Sequence, residues 1–261
     1  MKVVILCGGK GTRLREETEF RPKPMVPVGG RPILWHIMKH YARFGHSEFV
    51  LCLGYKGEMI REFFRNYRWN VSDVTLSLGA RFQAQFHGSH DEEDWKVTLA
   101  ETGLESMTAY RLRLAGPYLR RDEPFLLTYG DGVSDVDLDA LLACHRAAGK
   151  LVTITAVRPA GRFGAMVVEE DGSISTFEEK PQSDDSYVNG GFMVCEPGLL
   201  DYLSEDPAEM LERGPILRLA GEGQLNAYQH PGFWQPMDTY QEMQHLNALW
   251  DSGRAPWIRH P

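Results

Sequence analysis

The apolar run "VVILC" at residues 3–7 leads directly into "GGKGTRL" at residues 8–14. Unbroken apolar residues without alternation suit a strand covered on both faces, as in a parallel sheet. Glycines placed at once after such a strand let backbone amides approach a ligand without Cβ clashes. In open α/β sheets, ligands lie at the carboxyl ends of the strands. The stretch therefore predicts an α/β chain with an anion-binding loop after its first strand. A tight strand exit is the alternative reading of the same glycines. The familiar nucleotide loops do not fit. Leu14 stands where G-x-G-x-x-G needs its third glycine, and G-x-x-x-x-G-K-[ST] is absent.

The rhythm downstream repeats strand and helix. "RPILWHIMKHYARFG" reads as a helix with Pro32 in its first turn and Gly45 as its stop. "EFVLCLGY" is a strand and "GEMIREFFRNY" a helix. "VTLSLG" and "WKVTLAET" are strands around an irregular polar stretch, residues 85–95. "SMTAYRLRLAGPYL" is helical, "PFLLTYGDG" a strand ending in a turn, and "DVDLDALLACHRAAG" a helix stopped by Gly149. "LVTITAVRP" is another buried strand. This alternation predicts a three-layer, Rossmann-like α/β/α fold with a mostly parallel central sheet. After residue 160 the pattern changes. "GAMVVEEDGSISTFEEKP" reads as an added β-hairpin around "EDG", and "GGFMVCEP" as a strand. Two helical stretches, a strand, a loop and a final helix complete the chain. No repeat or linker divides it, so residues 1–261 read as one domain.

Composition excludes several classes. A formal charge of -8 argues against a general nucleic-acid or anionic-membrane surface, while leaving room for a local basic cluster. Lys10, Arg13, Arg15, Arg21 and Lys23 supply that cluster. The four cysteines, Cys7, Cys52, Cys144 and Cys195, lack metal-ligand spacing, and three lie in apolar runs. Reduced thiols and a cytoplasmic location are expected. No run reaches the length of a membrane span, and "MKVVILCGG" is too short for a signal peptide.

Several polar residues sit where chemistry is possible. Pro22 and Pro24 stiffen the backbone around Lys23, which suits a fixed charge against a phosphoryl group. A solvated surface lysine is the competing reading. Asp131 in "YGDG" ends a strand beside the expected loop. A carboxylate near phosphates is repulsive unless a cation intervenes, and magnesium bridges the two. A turn aspartate is the alternative. Asp238 starts the last helix, as an N-cap or as a second magnesium ligand. Glu178, Glu179 and Lys180 end one strand, and Asn189 and Gly190 precede another. Such groups suit sugar hydroxyls and a second phosphate, or ordinary surface turns. His36 and His40 share a helical face, but "HIMKH" lacks the glutamate of H-E-x-x-H, so packed histidines are expected. The six tryptophans read as core or interface anchors.

Taken together, "GGKGTRL" and "RPKP" resemble the mark of the nucleotide-sugar pyrophosphorylases. "RLREET", "GYKG", "SMT", "TYGDGVSDVD", "GRFGAM", "FEEKP", "NGGFMV", "HPGFWQPMDT" and "APW" look closest to the glucose-1-phosphate cytidylyltransferase branch, in that branch's order. The resemblance implies a nucleotide-diphospho-sugar transferase fold, with a nucleotide-binding half at about 1–135 and a sugar-phosphate-binding half at about 136–261. It also implies a reaction in which CTP and α-D-glucose 1-phosphate give CDP-glucose and pyrophosphate with Mg2+. By the same resemblance Lys23 and Arg13 are catalytic. Leu6, Cys7, Gly8, Gly9, Lys10, Gly11, Thr12, Ser106, Arg111 and Gly130 bind the nucleotide. Tyr129, Glu178, Lys180, Asn189 and Gly190 bind the sugar phosphate, and Asp131 and Asp238 hold the metal. A homo-oligomer, a trimer or a pair of trimers, is implied too.

The chain departs from the family at "MTAYR", where "MTGGR" is usual; a bulky Tyr110 puts base and sugar choice in question. The same chemistry on another nucleotide or sugar 1-phosphate is the runner-up. A regulatory relative without turnover would be expected to lose Lys23, Asp131 or Asp238, and all three are present. An NAD-dependent Rossmann enzyme needs the missing glycine and an acidic end to the second strand, where "LCLGY" offers neither.

Overall fold

A computed structural model describes residues 1–79, 81–92, 94–159, 165–168, 174–178 and 187–258; for 165–168 and 174–178 it describes the backbone. The main sheet has the strands β1 (Lys2–Leu6), β2 (Glu48–Leu53), β3 (Lys96–Glu101), β4 (Phe125–Tyr129), β5 (Val152–Val157), β6 (Val188–Cys195) and β7 (Leu225–His230). Their order is β7-β5-β6-β4-β1-β2-β3. β6 runs antiparallel to both β5 and β4, and the other neighbours are parallel.

Strand alternation sends the apolar residues into two cores. Val3, Ile5, Phe49 and Leu51 face one side. There they meet α1 (Ile33–Arg43), Ile60 of α2 (Gly57–Arg65), Leu141 of α4 (Leu138–Ala148) and Leu246 of α6 (Tyr240–Asp251). Val4, Leu6, Val50 and Cys52 face the other side, against Ala109 and Leu112 of α3 (Thr108–Ala115) and Leu219 of α5 (Pro215–Gly221). The expected three layers are therefore present. Among the described residues no helix is long and apolar enough to cross a membrane.

Local signals act as expected at most helix ends. Gly45, at φ +77°, follows α1, and Gly149, at φ +59°, stops α4. Asp137 caps α4 by accepting the Ala140 amide at 2.9 Å. Pro32 is the N-cap of α1 and pairs with Pro27, rather than lying inside the first turn. The polar stretch 85–95 also differs from expectation. Gln83–His87 pairs antiparallel with Asp73–Ser77 in an exposed hairpin outside the main sheet. Its aromatic residue explains the pairing, since Phe86 lies edge-on to Trp69 at 4.9 Å and beneath Arg68 at 4.4 Å. The expected "EDG" hairpin pairs Ala165–Val168 with Ile174–Glu178; its turn lies outside the described residues.

His36 and His40 are packed, not metal-bound. His36 Nε2–H donates to the Val28 carbonyl at 2.8 Å, and its Nδ1 accepts the buried Trp257 indole at 3.2 Å. His40 Nε2–H donates to the Val136 carbonyl at 2.9 Å. Burial pushes both imidazoles down to about 4, outweighing these bonds. Both are therefore neutral when folded, while the unfolded chain protonates them below about 6.5. The unfolded state then binds more protons, so stability falls as pH drops from 6.5 toward 4. Each histidine is expected to withdraw up to roughly 3 kcal/mol at the acid end. Urea unfolding across this range checks it, and His40→Gln should flatten the slope.

Candidate active site

The strand order reverses at β1, which continues to β2 on one side and is joined later by β4 on the other. The loops after β1 and β4 thus open beside each other, in the crevice where α/β sheets bind ligands. The Gly130 amide donates to the Leu6 carbonyl at 3.1 Å and holds the two exits together.

The glycine loop is shaped from behind. Gly11 sits at φ +62°, and a Cβ there would lie 2.7 Å from Thr18 Cγ2. Thr18 Oγ1 donates to the carbonyls of Gly11 at 3.0 Å and Leu14 at 2.9 Å. The amides of Gly9, Lys10, Gly11 and Thr12 donate to no group among the described residues. Backbone donors left this way at a loop edge await an acceptor, either water or an anion.

Arg111 of α3 supports the same loop. Its guanidinium donates to the carbonyls of Gly8 at 3.0 Å, Leu53 at 3.0 Å, Gly103 at 2.7 Å and Leu104 at 3.3 Å, and to Thr102 Oγ1 at 2.8 Å. Carbon atoms built at Gly8 and Gly54 would fall 2.1 and 2.4 Å from it. These two glycines therefore make room for an arginine. The guanidinium expected to meet the nucleotide is largely committed to backbone carbonyls.

A cavity of about 460 Å³ lies over this floor, within the usual size range for small-molecule sites. It is lined by every residue of the expected nucleotide set, together with Arg13, Lys23, Tyr129 and Asp131. Lys10 reaches across its mouth to Glu105 at 2.8 Å. Ala109 is buried in the core and Tyr110 does not line the cavity, so the departure at "MTAYR" changes no wall residue.

At one end of the cavity four charges meet. Lys23 starts a 3-10 turn, Lys23–Met25, and is buried, 7% exposed. Its Nζ donates to Asp131 Oδ2 at 2.8 Å and to Asp238 Oδ1. Arg13 Nη1 meets Asp238 Oδ2 at 2.7 Å. Burial alone would lower the Lys23 ammonium, but Asp131 and Asp238 outweigh it and hold it above the usual lysine value. The surface reading of Lys23 is thus replaced by a buried one. Asp238 is not the N-cap. Thr239 caps α6 in a capping box with Glu242, which leaves the Asp238 carboxylate for Lys23 and Arg13. A two-stranded ribbon, Gly132–Ser134 against Trp234–Pro236, carries Asp238 to Asp131, and the Met237 amide donates to the Asp131 carbonyl at 2.8 Å. Sequence reasoning missed this ribbon because neither piece is longer than three residues.

The other expected residues lie at the β6 side. Asn189 Nδ2 reaches the Tyr129 hydroxyl at 3.4 Å, and the Gly190 carbonyl accepts the Trp234 indole at 2.7 Å. The Glu178 side chain and Lys180 lie outside the described residues. Among the described residues no three His, Cys, Asp or Glu side chains gather as a metal site.

A sheet switch point with a glycine loop, a buried lysine and paired aspartates defines a nucleotide-handling class. The chain belongs to the nucleotidyl transferase family, whose pattern matches residues 2–239. It is 49% identical to the glucose-1-phosphate cytidylyltransferases of Salmonella typhi and of Salmonella typhimurium, over 98% of this chain and 98% of each relative. A solved structure of HddC from Yersinia pseudotuberculosis, complexed with GMP-PN, shares the fold with a TM-score of 0.66 at 18% identity, covering 95% of this chain and 99% of that one.

Arg111→Met removes the donor for four carbonyls and leaves buried acceptors unpaired, at roughly 1–3 kcal/mol per unsatisfied group. It should lower stability by at least about 4 kcal/mol and weaken nucleoside triphosphate binding at least about tenfold. Gly8→Ala, which drives Arg111 aside, should do the same. Urea unfolding and calorimetric titration check both.

Proposed function

We propose that the chain catalyses the transfer of a cytidylyl group from CTP to α-D-glucose 1-phosphate, giving CDP-glucose and pyrophosphate. The observation that carries this reading is the Lys23 ammonium held by Asp131 and Asp238 at the end of a cavity floored by the glycine loop. The names of the Salmonella relatives, at 49% identity, supply the substrates.

The nucleophile is a phosphate oxygen that already carries charge, so the reaction needs no general base. What remains is in-line positioning and neutralisation of charge on the phosphates. Lys23 faces the α-phosphoryl group or the sugar phosphate with a fixed, fully protonated ammonium. Arg13, whose side chain is 67% exposed, reaches from the loop to hold the leaving pyrophosphate with the amides of residues 9–12. Asp131 and Asp238 present carboxylate oxygens beside Lys23, and they would hold one hard divalent cation. Mg2+ held by these two carboxylates would supply neutralisation of phosphate charge. Ser106 and Arg111 flank the base end, while Tyr129, Asn189 and Gly190 flank the sugar end, with Glu178 and Lys180 assigned to that end by resemblance. A cytoplasmic homo-oligomer completes the reading.

Pyrophosphate release from glucose 1-phosphate with Mg2+, run in parallel with CTP, UTP, dTTP, ATP and GTP, tests it. The expected result is a CTP rate at least about tenfold above every other nucleotide. Preference for another base moves the assignment to a sister activity, and no release with any of them removes it.

A further inference from the structure

Glu212 belongs to none of the quoted motifs, yet it ties together two residues of the cavity wall, Tyr129 and Thr108. One carboxylate oxygen accepts the Tyr129 hydroxyl, and the other accepts Thr108 Oγ1 at 3.0 Å. A carboxylate only accepts hydrogen bonds, so both hydroxyl protons turn toward Glu212. Thr108 Oγ1 also accepts the Leu211 amide at 2.8 Å, which fixes that hydroxyl from both sides. The Tyr129 ring lies over β6, where a Cβ on Gly191 would come 2.7 Å from Cδ2. The Tyr129 hydroxyl proton is thus spent on Glu212, which does not itself line the cavity. Tyr129 lines the cavity, and its oxygen is left as an acceptor, met only by Asn189 Nδ2 at 3.4 Å among the described residues.

An oxygen that offers only lone pairs repels a phosphate oxygen, which also only accepts. It suits a ligand hydroxyl, which can donate. We propose that Tyr129, oriented by Glu212, reads one hydroxyl of the hexose ring, and that Glu212 is a positioning residue for sugar selection. This rests on the cytidylyltransferase reading above and adds the polarity of one contact to it. The placement of the ring over β6, beside Asn189 and Gly190, favours the hexose over the base. Selectivity of this kind can be strong, because a site built to pair a hydroxyl leaves a buried acceptor unpaired when that hydroxyl is missing.

The test is kcat/KM at saturating CTP for glucose 1-phosphate and its 2-, 3-, 4- and 6-deoxy analogues, on wild type, Tyr129→Phe and Glu212→Gln. Wild type should discriminate most strongly against one analogue. Tyr129→Phe should lose about tenfold on glucose 1-phosphate, the worth of one hydrogen bond, yet use that one analogue as well as wild type does. Glu212→Gln can offer the phenol an amide donor, so it should narrow the same single preference while the KM for CTP stays within about twofold. A uniform drop across all five sugars in both variants would show a merely structural role and overturn the inference. Unchanged discrimination in Glu212→Gln would overturn it as well. Wild type inert on glucose 1-phosphate with CTP would remove the underlying reaction, and the inference with it. An active wild type without the single-analogue pattern removes the inference alone.

Discussion

The buried Lys23 ammonium between Asp131 and Asp238 organises everything around it. A charge moved out of water is costly unless partners and hydrogen bonds replace the lost hydration. Here the partners come from distant parts of the chain: the exit of β4, the entry to α6, and Arg13 from the first loop. Two positive and two negative side chains balance, so Lys23 and Asp238 can be buried within a cluster of no net charge. Removing one member would leave its neighbours uncompensated, which is why loops so far apart in sequence keep one arrangement. The same arrangement places cationic groups beside a phosphate-sized opening.

Arg111 does comparable work for the neighbouring loop. It ties the carbonyls that end β1 and β2 to those of residues 103 and 104, so three strand exits share one support. The glycines at 8 and 54 follow from that support as much as from ligand approach. The cavity floor is therefore stiff, and its outward amides keep their direction before any ligand arrives. Preorganised donors of this sort suit a reaction that depends on charge placement more than on proton transfer.

Much of this was legible in the sequence, for identifiable reasons. Long apolar runs such as residues 3–7 and the 3.6-residue pattern of α1 are dictated by burial, so strands, helices and layers followed directly. Lys23, Asp131 and the glycine loop stood out because proline, glycine and strand ends constrain them locally. Tertiary facts were hidden. Asp238 looked like an N-cap because its neighbour Thr239 takes that role only once Glu242 folds back. The first strand of the exposed hairpin is legible in "VTLSLG", but the end of the second, residues 85–87, reads as irregular because that strand is solvent-facing and carries no core pattern. The backbone partners of Arg111 were hidden because carbonyl acceptors carry no sequence signal. Glu212 gave none at all, since a glutamate before "RGP" resembles any surface turn.

The central claim is that a fixed, buried ammonium at position 23 neutralises charge in the phosphoryl transfer. The most direct measurement is the turnover number of Lys23→Ala, with CTP binding followed in the same preparation to report an intact cavity. One well-placed charged donor is worth roughly 3–4 kcal/mol of barrier. The account therefore predicts a loss of about two to three orders of magnitude in kcat with CTP still bound. A variant that binds CTP and turns over at a near-native rate would contradict it.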